Sequence, residues 1–169
     1  THLSTSVYLA LLLASPLILI ELFRFITPAL YDNERKYSAR ITCTIFLLFI
    51  TGVLMSYFVI FPFSIRFLGT YQVSEDVVNM INLSSYISTF TALTFMMGIV
   101  FQIPVISFFL AKMGILEAEF MAKYRRHALI IIMILAAIIT PPDIFTLVLV
   151  TIPMYALYEL SILIVKRIN

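Results

Sequence analysis

The chain has 169 residues, 62% hydrophobic and only 12% charged, with a formal net charge of +2 and a mean hydropathy of +1.08. A soluble domain carries roughly 25% charged residues, so this composition cannot coat a water-facing surface and makes lipid the expected solvent. The positive charge is too small and too scattered to suggest nucleic-acid binding, and the single cysteine, Cys43, excludes an internal disulfide and argues against a thiolate metal site.

A bilayer core of roughly 30 Å needs about 20 apolar residues as helix, because every backbone polar group must be satisfied inside the segment. Five stretches meet or approach that length: Val7–Phe25, Ile41–Ile65, Tyr86–Ala111, Tyr124–Ile139 and Ile144–Val165. The first connection, Leu30–Arg40, reads LYDNERKYSAR and is charged, and the second, Gly69–Asn82, is polar and acidic. The third, Lys112–Lys123, reads KMGILEAEFMAK and is amphipathic at best. The fourth is only TPPD, Thr140–Asp143, where two prolines stop one helix and start the next. No internal repeat or low-complexity segment interrupts the series. The expectation is an all-α, polytopic membrane protein: one transmembrane domain over residues 1–169, with five transmembrane helices.

Basic residues orient it. The first and third connections, their flanks and the C-terminus hold Arg24, Arg35, Lys36, Arg40, Lys112, Lys123, Arg125, Arg126, Lys166 and Arg167, whereas the second holds only Arg66 and TPPD none. That is a strong positive-inside bias. It predicts an N-terminus outside the cytoplasm and a cytoplasmic C-terminus. The chain opens at Thr1 without an initiator Met or a charged leader, so it reads as a fragment or a processed chain, with an upstream helix missing.

The fourth span is short. Ala128–Ile139 covers about 18 Å, and counting from Tyr124 gives only about 24 Å. Either the membrane thins locally and the TPPD hairpin is recessed, or a longer neighbouring helix shelters the gap.

Polar residues inside spans are functional leads. Glu21 stands one turn before Arg24 and reads as an i,i+3 pair at the interface. Gln102 lies deep in the third span beside Pro104, which frees a backbone carbonyl. Two readings stay open for it: a structural hydrogen bond to that backbone, or a water-lined cavity. Glu159 lies about 22 Å along the last span, placed to pair with a basic residue near the cytoplasmic interface. His127, after two arginines, reads as a helix-end anchor.

Catalysis finds no support. Both histidines, His2 and His127, lie at span edges, and Asp32, Asp76 and Asp143 all fall in connections. No serine- or aspartyl-protease constellation is available, no cluster has metal-ligand spacing, and no cofactor is called for. From the residues alone the classes left are a membrane scaffold, a receptor or a transporter subunit; a secondary transporter and an intramembrane enzyme are the competing functions.

The wording of the segments goes further. FITPALYDNERK at Phe25–Lys36 resembles a signature of the TatC family, the multi-span core and receptor subunit of the twin-arginine protein translocase. SPLILIELFRF before it resembles the family's second span, and SYFVIFPFSIRFL at Ser56–Leu68 the end of its third. FQIPVISFFLAKMGI at Phe101–Ile115 and the TPPDIF…IPMYALYE series at Thr140–Glu159 follow in the same order. The resemblance covers essentially the whole chain, from the family's second span to its sixth, and lacks its N-terminal segment and first span.

The resemblance implies a non-enzymatic receptor that binds the paired-arginine signal peptides of folded cargo and is powered by the proton-motive force through its complex. It implies single-span TatA/TatB-type partners, a homo-oligomeric complex and a place in the bacterial inner (cytoplasmic) membrane or an organelle inner membrane. Phe25 and Glu34 match its signal-peptide positions; a carboxylate facing a guanidinium forms a bidentate, charge-assisted pair. Gln102 matches a position where many relatives carry glutamate. Thr140 and the two short last spans match the partner-docking region, and Glu159, with Tyr155, falls on a matching intramembrane position.

Overall fold

The computed structural model describes residues 2–26, 35–70, 83–140 and 143–168. Within them the backbone is helical: α1 (His2–Ile26), α2 (Arg35–Met55), α3 (Phe61–Thr70), α4 (Leu83–Val100), α5 (Ile103–Lys112), α6 (Ala118–Lys123), α7 (Arg125–Ile139) and α8 (Ile144–Lys166). Three continuous helices among the described residues are long and apolar enough to cross a membrane: Ala39–Phe67, Ile87–Lys112 and Ile144–Lys166. Apart from α7, the helices run past the apolar stretches that mark them in the sequence, because helix continues into the polar flanks once its nucleus exists.

Two of the long rods are broken, each at a proline. Between α2 and α3 a π turn, Ser56–Ile60, precedes Pro62, and the Phe61 N–H reaches back five residues to the Ser56 carbonyl. Proline cannot donate to the carbonyl four residues behind it, and the wider turn accommodates the break without ending the rod. Between α4 and α5, Pro104 stands in the first turn of α5; Gln102 N–H bonds the Ile99 carbonyl at 2.9 Å, and the Gln102 carbonyl accepts from both Val105 and Ile106 at 3.0 Å.

α5 ends on Gly114 at φ 71°, a left-handed conformation that suits glycine. Gly114 N–H bonds Ala111 O and Ile115 N–H bonds Leu110 O, both at 3.0 Å, which closes the helix end and turns the chain sideways. This turn delivers α6, a single short helix inside the segment whose sequence reads only as amphipathic.

Packing is centred on α2, α4 and α8. Ile60, Leu93, Met97 and Phe101 meet Ile132 and Ala136 of α7 and Val150, Met154 and Leu157 of α8 in the largest buried cluster. A second joins Phe23 of α1, Ile45 of α2 and Val105 and Phe109 of α5. A third fastens α6 through Met121 to Ala111, Ile162 and Val165. Outside these clusters large apolar side chains stay exposed along the helices, Leu13, Ile130, Ile138 and Leu163 among them. That is the surface lipid requires.

Candidate functional site

The polar end of α1 comes first. Phe23 is buried and stacks on Phe109 of α5 with centroids 5.3 Å apart, whereas Phe25, two residues on, is 87% exposed. Successive helix positions diverge by about 100°, so fixing Phe23 inward turns Phe25 out. Beside it Arg24 reaches Glu21 at 3.5 Å, and both side chains are largely exposed, so this i,i+3 pair contributes little. Glu34 lies outside the described residues.

Gln102 sits at the break between α4 and α5 with no exposed surface. Its Nε2 donates to the Ile45 carbonyl of α2 at 3.2 Å. The carbonyl freed by Pro104 belongs to Val100, so the hydrogen bond runs across to a neighbouring helix instead of along its own. Gln102 Oε1 is buried without a protein partner, which costs about 1–3 kcal/mol unless water fills it. The amide therefore ties two helices together.

At the hairpin between α7 and α8, Thr140 is 7% exposed and its hydroxyl donates to Ala136 O at 2.8 Å, closing α7. Asp143 caps α8, its Oδ1 accepting from Thr146 N–H at 2.6 Å. Asp143 Oδ2 is buried without a partner.

At the other end of the same hairpin, Glu159 is gripped by Arg125. Nε lies 2.9 Å from Oε1 and Nη2 donates to Oε2 at 3.0 Å, a two-pronged fork that a lysine cannot reproduce. Tyr155, one turn earlier on α8, donates its hydroxyl to Oε1 at 3.0 Å. Tyr158 donates to the Met121 carbonyl of α6 at 2.8 Å. Arg125, Glu159, Tyr155 and Tyr158 thus lock α6, α7 and α8 at one level. His127 lies on the exposed face of α7, its ring 5.4 Å from that of Tyr124.

The four candidate positions do not converge. Phe25 marks the end of α1, Gln102 the middle of the molecule, Thr140 one end of the α7–α8 hairpin and Glu159 the other. Sequence reasoning passed over a buried polar ladder: Ser56 and Thr94 hydroxyls lie 3.2 Å apart, and Thr146 donates to Ser64 at 3.2 Å while Ser64 donates to Ile60 O at 2.7 Å. Their only signal is hydroxyl residues recurring in apolar spans, a common feature of helix contacts in lipid. No group of three metal-ligating side chains occurs among the described residues.

Kinked apolar rods, a buried amide clasp and a short hairpin pinned by an ion pair define a polytopic helical membrane protein with no reaction centre in view among the described residues. Residues 1–153 match the family model for the Sec-independent protein translocase protein, TatC, and the chain belongs to that family. It is 44% identical over 151 residues to the Sec-independent protein translocase protein TatC of Blattabacterium sp. subsp. Periplaneta americana, covering 89% of this chain and 57% of that one. It is 38% identical over 158 residues to TatCy of Bacillus subtilis, covering 94% and 62%. A crystal structure of the twin-arginine translocase receptor TatC in DDM superposes with a TM-score of 0.82 at 34% identity, over 95% of this chain and 71% of the other. The chain therefore spans less than two thirds of the length of these two relatives.

Proposed function

We propose that this chain is the signal-recognising core of a twin-arginine translocase, a non-enzymatic subunit that binds paired-arginine signal peptides and assembles partner subunits for export of folded proteins. The observation that carries this reading is the exposed Phe25 at the polar end of α1, at the head of FITPALYDNERK, inside the stretch matched by the family model. A large aromatic left uncovered there offers an apolar contact to a signal peptide, and Glu34, nine residues on in the sequence, supplies a carboxylate for its guanidinium groups.

In this reading α1, the α2–α3 rod, the α4–α5 rod, α7 and α8 are five spans of one domain, with the N-terminus outside and the C-terminus in the cytoplasm. The ten-to-one asymmetry of basic residues supports that orientation. The membrane is the bacterial cytoplasmic membrane, in keeping with bacterial relatives, or its organelle counterpart. The short α7 and its hairpin at Thr140 receive single-span TatA/TatB-type subunits, Gln102 and Glu159 hold the helices that line that contact, and copies associate in a homo-oligomeric complex.

The test is a photo-crosslinker at Phe25 in the full-length protein, challenged with a twin-arginine signal peptide. Glu34→Ala lowers peptide affinity about tenfold to a hundredfold, the loss of a charge-assisted hydrogen bond worth roughly 1.5–3 kcal/mol, and Glu34→Asp lowers it less. Unchanged affinity of Glu34→Ala for the twin-arginine peptide overturns the assignment. An equal loss for a twin-lysine peptide reduces Glu34 to general electrostatics.

A further inference from the structure

A groove of about 440 Å³ lies between α2, α5 and α8, and none of Phe25, Gln102, Thr140 and Glu159 is in its lining. Leu48 of α2, Phe108 of α5, and Leu160 and Ile164 of α8 make its apolar wall, and Arg40 and Thr44 are its polar members. Thr44 spends its hydroxyl on the Arg40 carbonyl at 2.9 Å, so it offers the groove little polarity. Arg40 is exposed and has no carboxylate partner among the described residues. The groove is therefore a hydrocarbon slot with one cation at one end.

Its dimensions and setting narrow the occupant. From Arg40 to Leu48 is about 12 Å along α2, close to the ~15 Å of one leaflet's hydrocarbon layer. In the orientation proposed above, Leu48 falls toward mid-bilayer and Arg40 at interfacial depth. A cation at the end of an interhelical slot attracts anionic head groups, and a guanidinium grips phosphate oxygens in a fork.

We propose that this groove holds one acyl chain of an anionic phospholipid from the leaflet on the Arg40 side, with its phosphate on the Arg40 guanidinium. The lipid fills the seam between α2, α5 and α8. It makes packing at that seam depend on the lipid headgroup. The groove's lining does not include Phe25, the position proposed to meet the signal peptide.

These 169 residues contain no tryptophan, so Phe108→Trp in the full-length protein, with any tryptophan outside them replaced by phenylalanine, reports on the groove. The protein is placed in phosphatidylcholine nanodiscs holding a minority of phosphatidylglycerol, with bromine on the acyl chains of either lipid in turn. Quenching by brominated phosphatidylglycerol exceeds that by an equal fraction of brominated phosphatidylcholine. Arg40→Gln lowers this preference about fivefold, the factor for removing one cation near an anionic surface, while Arg40→Lys keeps part of it. Ile131→Trp, on a lipid-facing position of α7, responds to both lipids alike and confirms that each reaches the protein. Equal quenching of Phe108→Trp by both lipids overturns the proposal, because the groove then holds bulk lipid. Absence of quenching there, with Ile131→Trp still quenched, overturns it too, because protein then covers the groove. Should Arg40→Gln fail to fold, the headgroup preference of Phe108→Trp and its loss at high salt decide the matter with Arg40 intact.

Discussion

The α2–α4 seam and α7 are built on opposite principles, although both are apolar helix in the same solvent. Along the seam the backbones nearly touch. A methyl group added at Gly52 would lie 2.7 Å from the Met97 carbonyl and 3.1 Å from the Gly98 Cα, and one at Gly98 would lie 2.5 Å from the Phe49 ring. Phe49 is itself 1% exposed. Helix α7 buries only Ile132 and Ala136, and leaves Ile130, Ile131, Ile134 and Ile138 to its surroundings. Its 15 residues cover about 22 Å, short of a relaxed bilayer core. Lipid tails are as apolar as isoleucine, so burying apolar area does not drive helices together in a membrane; close backbone approach and polar contacts do. The seam has both. α7 has its fork to Glu159 and a narrow stripe, which leaves most of its surface available to lipid or to another helix.

The largest effect expected from this contrast is at Gly52. Gly52→Ala pushes a methyl group into backbone that cannot rotate away, and overpacking of this kind costs about 1–3 kcal/mol, here at the upper end. Gly98→Ala follows closely, because the Phe49 ring has no free space to enter. Ile134→Ala on the exposed face of α7 stays within about 0.5 kcal/mol of the parent. Unfolding midpoints in a detergent titration measure all three. Equal losses at Gly52 and Ile134 would erase the distinction between the two regions.

Much of the architecture is legible in the sequence because lipid imposes it. Apolar run lengths mark the helices, TPPD marks the tight hairpin, and Pro104 marks a break in its rod. The Glu21–Arg24 pair is legible because i,i+3 spacing sets its geometry locally. What stays hidden is rotation. α8 is apolar on nearly every face, so no periodic stripe says which side meets a neighbour. The partners of Gln102 and Glu159 depend on that rotation: Ile45 is 57 residues away and Arg125 is 34. The π turn and α6 escape for another reason. Each is only one turn or so long, below the window in which periodicity carries information. The functional reading came from the words of the loops, above all FITPALYDNERK, which no count of hydropathy contains.

The Arg125–Glu159 fork sharpens the comparison from the side of α7. About a third of the Glu159 side chain and nearly half of Arg125 reach the surface, so water weakens the pair. Arg125→Ala and Glu159→Ala each lower stability by about 1 kcal/mol, with a coupling of roughly 0.2–1 kcal/mol in a double-mutant cycle. Arg125→Lys recovers only part, since an ammonium cannot form the two-pronged contact. Added salt shrinks the coupling. A coupling near zero would mean that α7 is held by Ile132 and Ala136 alone, and the ion pair would lose its place in the contrast.

A far smaller effect than at the glycines is expected at the Ser56–Thr94 contact, and it tests whether polar bonding adds to the seam beyond its shape. The two hydroxyls are buried and 3.2 Å apart, on helices whose backbones the glycines already bring together. Ser56→Ala combined with Thr94→Val in a cycle yields a coupling of about 0.6 kcal/mol, the average for such bonds between helices in a membrane. The value is small because each hydroxyl has an alternative in its own helix. Thr91 illustrates it, donating to the Ile87 carbonyl one turn back at 2.8 Å. Ser161→Ala is the control, since its hydroxyl already bonds its own Leu157 carbonyl at 2.8 Å and crosses to no neighbour among the described residues. Paired with Thr94→Val, it shows no coupling. A Ser56–Thr94 coupling as small as that control would leave the seam resting on glycine-permitted contact alone. A coupling above about 1.5 kcal/mol would instead mean that the π turn holds Ser56 where no carbonyl of its own helix can take the proton.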